Sequence, residues 1–102
     1  MAGPVLSAET LKRLEILFKE EDRPVAAQLL EDECGNNLPF LEELDAHRLE
    51  RFRFAALKLS GGDLDKLREA IKMAKVDWRD LLMMAGFGHS LTEHERWWPQ
   101  KI

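Results

Sequence analysis

Signals that start and stop helices recur at short intervals along this chain, and they constrain its fold more than any other feature. Ser, Thr and Asp side chains accept hydrogen bonds from the free N–H groups of a first helical turn, proline suits that turn, and glycine closes helices. The starts are marked by Ser7, Pro24, Asp45, Asp63, Asp77 and either Ser90 or Thr92, and the stops by Gly35, Gly61 and Gly86. These signals predict five short helices over 7–21, 24–34, 45–60, 63–76 and 77–86, followed by a short helical turn over 92–98.

The spacing of apolar residues predicts helices and no sheet. Apolar side chains recur three and four positions apart, which gives each helix one apolar face. The pattern is cleanest in the fourth helix (Leu64, Leu67, Ile71, Ala74) and is also present in the first (Leu11, Leu14, Leu17, Phe18) and the third (Leu49, Phe52, Ala56, Leu59). No segment alternates apolar and polar residues between hairpin turns, as a strand would. We therefore predict an all-α fold, either a compact bundle or stacked helical hairpins.

Size and composition predict one packed domain over 1–102. The chain has 102 residues, of which 45% are hydrophobic and 33% are charged, as in packed globular proteins. Its longest uncharged apolar run, 81–88, is far shorter than the roughly 20 residues that span a bilayer, so we expect no membrane segment. The start of the chain lacks the pattern of a signal peptide and Cys34 has no intrachain partner, which favours the cytoplasm.

Charge is distributed unevenly along the chain. Residues 1–45 carry four Lys or Arg against eleven Asp or Glu, whereas residues 46–102 carry eleven against eight. The resulting charges of −7 and +3 predict attraction between the two halves, either within one fold or between two copies. The overall net charge of −4 argues against nucleic acid as the main partner.

No group of residues has the spacing of a catalytic or metal site. His89 and His94 do not share a helical face, so we expect both to be exposed around a helix start. Cys34 lies at a predicted helix end, where the negative end of the helix dipole disfavours a thiolate nucleophile. Helix capping accounts for Asp77 and Asp80. The sequence therefore predicts no enzyme, no cofactor and no metal ion.

The third predicted helix is the most basic. Arg51 and Lys58 point in similar directions, and Phe54 lies beside them, opposite the main apolar stripe. A basic surface that contains an aromatic ring is suited to an acidic partner or to nucleic acid. The alternative is that this helix is central, with Phe54 and Leu57 buried against other helices and the arginines paired with the acidic N-terminal half. Its basic residues are Arg48, Arg51, Arg53 and Lys58, against one acid, Glu50.

The last third of the chain is rich in methionine and tryptophan. Adaptable methionine and aromatic side chains are common where a protein contacts a partner. The alternative is that these bulky residues close one end of the core. The candidate partner-binding residues here are Met83, Met84, Trp97 and Trp98, with Met73 and Phe87 nearby.

Taken together, these patterns predict a small cytoplasmic helical module that binds another protein or associates with itself. The alternative is a regulator that binds nucleic acid through a helix-turn-helix formed by the third and fourth helices. That alternative is disfavoured because Asp63 and Asp65 open the would-be recognition helix, where phosphates would repel them.

Overall fold

Six helices lie within the residues that the computed structural model describes, which are 6–33, 46–88 and 93–99; at 46–49 and 78 it describes the backbone alone. They are α1 (Ala8–Leu17), α2 (Arg23–Glu33), α3 (Ala46–Ser60), α4 (Leu64–Val76), α5 (Trp78–Ala85) and α6 (Glu93–Arg96). No strand occurs in these three stretches. The all-α prediction is confirmed.

Local hydrogen bonds account for the starts of three helices, α1, α4 and α5. The Ser7 hydroxyl accepts from the Thr10 N–H at 3.1 Å, and the Asp63 carboxylate accepts from the Lys66 N–H at 3.0 Å. Asp77 caps α5 through the Arg79 N–H. Each of these caps was expected from the sequence, because the acceptor and the free N–H lie within three residues of each other.

The end of α5 is a Schellman motif. Gly86 has a φ of 82° in the left-handed region, and its N–H bonds the Met83 carbonyl at 3.1 Å while the Phe87 N–H bonds the Leu82 carbonyl at 2.8 Å. Phe87 and Leu82 are both buried, as this motif favours. The other predicted boundary residues Gly35, Asp45, Ser90 and Thr92 lie outside the described residues.

The expected course of α1 is wrong in two respects. It ends at Leu17 and not at residue 21, because the Arg23 guanidinium donates to the Glu15 and Phe18 carbonyls and so satisfies the end of the helix from outside. Its buried face includes Leu14 and Phe18 of the predicted stripe but is rotated away from Leu11. Leu11 is 39% exposed, whereas Thr10 and Arg13 are buried.

The third helix is the centre of the fold. α3 contacts α1, α4, α5 and α6, and α4 additionally packs against α2 and α5. Residues on several sides of α3 are buried: Phe52, Phe54, Ala55, Ala56 and Leu57. The main apolar stripe is buried at Phe52 and Ala56, and the alternative of a central helix is confirmed because Phe54 and Leu57 are buried as well. Phe54, at 1% exposure, belongs to the core and not to a partner surface.

One glycine brings the turn after α3 against the end of α1. Gly62 has a φ of +90°, and a Cβ there would overlap the carbonyl group of Leu17, at 3.3 Å from its carbon. Gly61 also has a positive φ, of +56°, but a Cβ there would meet nothing within 4 Å. Only Gly62 therefore combines the left-handed conformation with a close backbone approach.

Replacing these two glycines separates the two effects. A side chain in the left-handed region costs about 1–2 kcal/mol. Gly61→Ala should therefore lower the free energy of unfolding by that amount. Gly62→Ala should lose about 2 kcal/mol more, because the backbone of Leu17 must also move. Urea denaturation followed by circular dichroism measures both. Equal losses for the two variants would contradict the close approach at Gly62.

Candidate partner-binding surfaces

The basic residues of α3 are directed largely into the fold. The Arg51 guanidinium donates to the Phe87 carbonyl, and the Arg53 guanidinium, which is buried, donates to the Leu30 carbonyl. Burial lowers the pKa of Arg51 below its ordinary value. Lys58 is exposed, with its ammonium 5.0 Å from the ring centre of Phe87. The described residues thus do not form the predicted basic surface around Phe54, and the Arg48 side chain lies outside them.

A buried arginine on α1 holds the end of the described chain. Arg13 is 2% exposed, and it donates to the backbone carbonyls of Trp97, Glu95 and Glu9 at 2.9, 3.3 and 3.0 Å. Its guanidinium carbon lies 3.7 Å from the ring centre of Trp98 and 4.1 Å from that of Phe54. Arg13 therefore binds the end of the described chain through hydrogen bonds and a cation–π contact with Trp98, and it contacts α3 through a second cation–π contact with Phe54.

Arg13 also lowers the pKa of an exposed carboxylate, that of Glu9. It donates to the Glu9 side chain at 3.0 Å, and this hydrogen bond lowers the pKa of Glu9 below its ordinary value of 4.5. Lys12 is a second, weaker cause, at 3.6 Å from the same carboxylate. Because the folded state favours the charged form, this contact adds stability above the unfolded-state pKa of Glu9, and that stability is lost as the pH falls through the lower folded-state pKa.

Four rings form an aromatic cluster beneath α6. His94 is fully buried, with its ring centre 5.4 Å from that of Phe54 and 6.3 Å from that of Phe87, in edge-to-face orientations. Trp97 lies 6.1 Å from Phe54 and 6.4 Å from Phe87 and is half-buried. The expectation that His94 is exposed is wrong, because α6 docks on α3 and places this ring in the core.

The methionine and tryptophan residues divide between core and surface. Trp97 packs on the core, and Met73 lies half-buried against it. Trp98 is 46% exposed, with one face covered by Arg13. Met83 and Met84 are 69% and 62% exposed on the outer side of α5. Of the predicted partner-binding residues, these two methionines are the most exposed apolar side chains.

The structure contains a cleft that sequence analysis missed. It lies between α2 and α4, has a volume of about 300 Å³, and is lined by Leu29, Glu33, Arg68, Ile71, Lys72 and Lys75. A sequence signal for part of it exists, since Arg68, Lys72 and Lys75 are spaced four and three residues apart and so share a helical face. The pairing of α4 with α2, however, is a tertiary contact that no local pattern indicates.

Other classes of site find no support in the described parts of the chain. Within 6–33, 46–88 and 93–99, no group of three or more His, Cys, Asp or Glu residues is placed to hold a metal ion. None of the helices described there is both long enough and apolar enough to cross a membrane. Comparison with protein-family models, with curated proteins and with solved structures found no match to this chain.

Replacing Arg13 tests whether it anchors the residues after α6. Arg13→Met keeps an unbranched side chain but removes every donor, and we expect the free energy of unfolding to fall by about 2–4 kcal/mol. Amide hydrogen exchange at 93–98 should accelerate more than exchange in α4, and tryptophan emission should shift to the red. Arg13→Lys should restore little of the lost stability, because an ammonium group cannot reproduce the planar set of donors of a guanidinium group.

The exposed neighbour provides the control for this experiment. Lys12→Met makes a similar change one residue away and should alter stability by less than about 0.5 kcal/mol. Unchanged exchange at 93–98 in Arg13→Met would contradict the anchoring role.

Proposed function

We propose that this protein is a helical module that binds another protein chain, and that it does so through the outer face of α5. The observation that carries this proposal is the pair of exposed methionines, Met83 and Met84, on one short helix. Single exposed apolar residues are normal on protein surfaces. Two large ones side by side on an eight-residue helix form a patch, and such patches mark interaction sites more often than scattered residues do.

The chemistry of methionine suits this role. Its side chain is unbranched and polarizable, so it adapts to the shape of a partner, and methionine is enriched at protein interfaces. Arg79 and Asp80 are exposed on the same helix and occupy the same side as the methionines at helical spacing. They provide the polar rim that commonly surrounds an apolar contact.

The rigidity of α5 also supports the proposal. The helix is capped at its start by Asp77 and at its end by the Schellman motif of Gly86 and Phe87. Its inner face is packed into the core through Leu81, Leu82 and Ala85. A face held in place before binding loses little backbone entropy when the partner docks.

The nucleic-acid alternative has less support. A helix-turn-helix reader needs free basic side chains on α3, but Arg51 and Arg53 donate to carbonyl groups. The other helix, α4, carries exposed cations but begins with Asp63 and Asp65, which phosphates would repel. Phe54, which would have stacked on a base, is buried. We therefore expect no salt-dependent binding to duplex DNA of mixed sequence.

Site-specific photo-crosslinking in cells tests the proposed face. A photoreactive residue at position 83 should form a discrete covalent adduct with another protein or with a second copy, and the same residue at position 25 should not. Val25 is a suitable control because it is also an exposed apolar residue, but on α2. The mass of the adduct tells a second copy from a different protein.

Competition makes this test specific to the two methionines. Unlabelled wild-type protein, added as a competitor, should suppress the adduct. The Met83→Gln, Met84→Gln double variant should reach the same suppression only at a concentration at least about tenfold higher, because burying a methionine contributes about 1.5–3 kcal/mol to binding. The double variant should unfold at the same urea concentration as the wild type, since both methionine side chains are exposed. Equal adduct yields from positions 83 and 25 would contradict the proposal.

A further inference from the structure

We infer that the cleft between α2 and α4 is a second docking site, and that its occupant is an acidic amphipathic helix of a partner protein. The site is distinct from the methionine face of α5, since its lining comes from α2 and α4 alone.

The shape of the cleft suits side chains that project from a partner. Its volume of about 300 Å³ is at the lower end of the range for pockets that enclose a small molecule, and the cleft is open to solvent. Its exposed apolar lining comes mainly from the half-buried Leu29 on α2, since Ile71 on α4 is only 3% exposed. An open, partly apolar groove between two helices is the usual receptor for the apolar face of a third helix.

The positive charge along the cleft favours a negatively charged partner. Arg68, Lys72 and Lys75 line it on the α4 side, against a single carboxylate, Glu33, on α2. Because a helix rises 1.5 Å per residue, the three cations span about 10 Å. Carboxylates at positions i, i+4 and i+7 of a partner helix have the same spacing, so such a helix can place one carboxylate near each cation.

The existing ion pairs leave this charge available. Lys75 pairs with Glu33 and Arg68 pairs with Asp65, but all four side chains are at least partly exposed, where such pairs are weak and can exchange partners. Lys72 is exposed and forms no ion pair with any residue in the described stretches. It is therefore the cation that a partner carboxylate can approach at least cost.

The same features disfavour a phosphate backbone as the occupant. Glu33 in the lining would repel phosphates, and the half-buried Leu29 would find no apolar group to cover it. An acidic amphipathic helix satisfies both the apolar contacts and the cations, because its apolar stripe and its carboxylates lie on adjacent faces.

A designed peptide tests this inference on the full chain. The probe is a fluorescein-labelled helical peptide of about 14 residues with a leucine stripe flanked by glutamates at i, i+4 and i+7. Fluorescence anisotropy should detect binding that weakens with added salt. A second peptide, with lysine in place of each glutamate, should bind at least about tenfold more weakly.

Two charge reversals on α4 locate the site. Lys72→Glu should weaken binding of the acidic peptide by about five- to tenfold. Lys66→Glu changes the net charge equally on the same helix, but Lys66 lies outside the cleft and points away from Lys72 by helical position, so it should change binding by less than about twofold. The Met83→Gln, Met84→Gln variant should bind the peptide like the wild type, which separates this site from the proposed α5 contact.

Several results would overturn the inference. Failure of the acidic peptide to bind, or equal losses for the two lysine variants, would remove the cleft as its site. Tighter binding of duplex DNA than of the peptide, lost in Lys72→Glu, would make nucleic acid the occupant. Concentration-dependent dimers by light scattering that Lys72→Glu abolishes would make the occupant a second copy of this chain.

Discussion

The burial of α3 on several sides is the constraint on which the rest of this structure depends. Four helices pack around it, and the fully buried Ala55 and Ala56 leave room for close approach, because a short side chain keeps the helix axes near each other. Among the side chains described on α3, Lys58 alone is exposed, so these side chains offer little surface to a partner. The two proposed binding surfaces accordingly lie on other helices, the methionine pair on α5 and the cleft between α2 and α4.

The arginines in the interior share one role. Arg13, Arg51 and Arg53 each direct the guanidinium at a backbone carbonyl of a different element. Carbonyl groups near helix ends lack intrahelical partners, and each of these guanidinium groups supplies a donor to such a carbonyl. Counting charges along the chain therefore overstates how basic the surface is. Because these three arginines contribute little charge to the surface, the most concentrated exposed positive charge in the described stretches is that of Arg68, Lys72 and Lys75 on α4.

The two proposed sites depend on different physical interactions. Contact at Met83 and Met84 relies on removal of apolar surface from water, which ordinary salt concentrations change little. Contact at the cleft relies partly on exposed cations, whose attraction falls as salt screens it. Binding at the two methionines should thus persist as the ionic strength rises, whereas binding at the cleft should weaken.

The sequence by itself determined the helical class, most helix starts and the stops at Gly61 and Gly86, because each cap is a hydrogen bond between groups a few residues apart. Apolar spacing also predicted the buried face of α4. Only the tertiary structure decided that Leu11 is exposed while Arg13 is buried, that Phe54 and His94 lie in the core, and that α2 and α4 enclose a cleft. The physical reason is that burial depends on which distant elements meet, as in the bond from Arg13 to Trp97, 84 residues away.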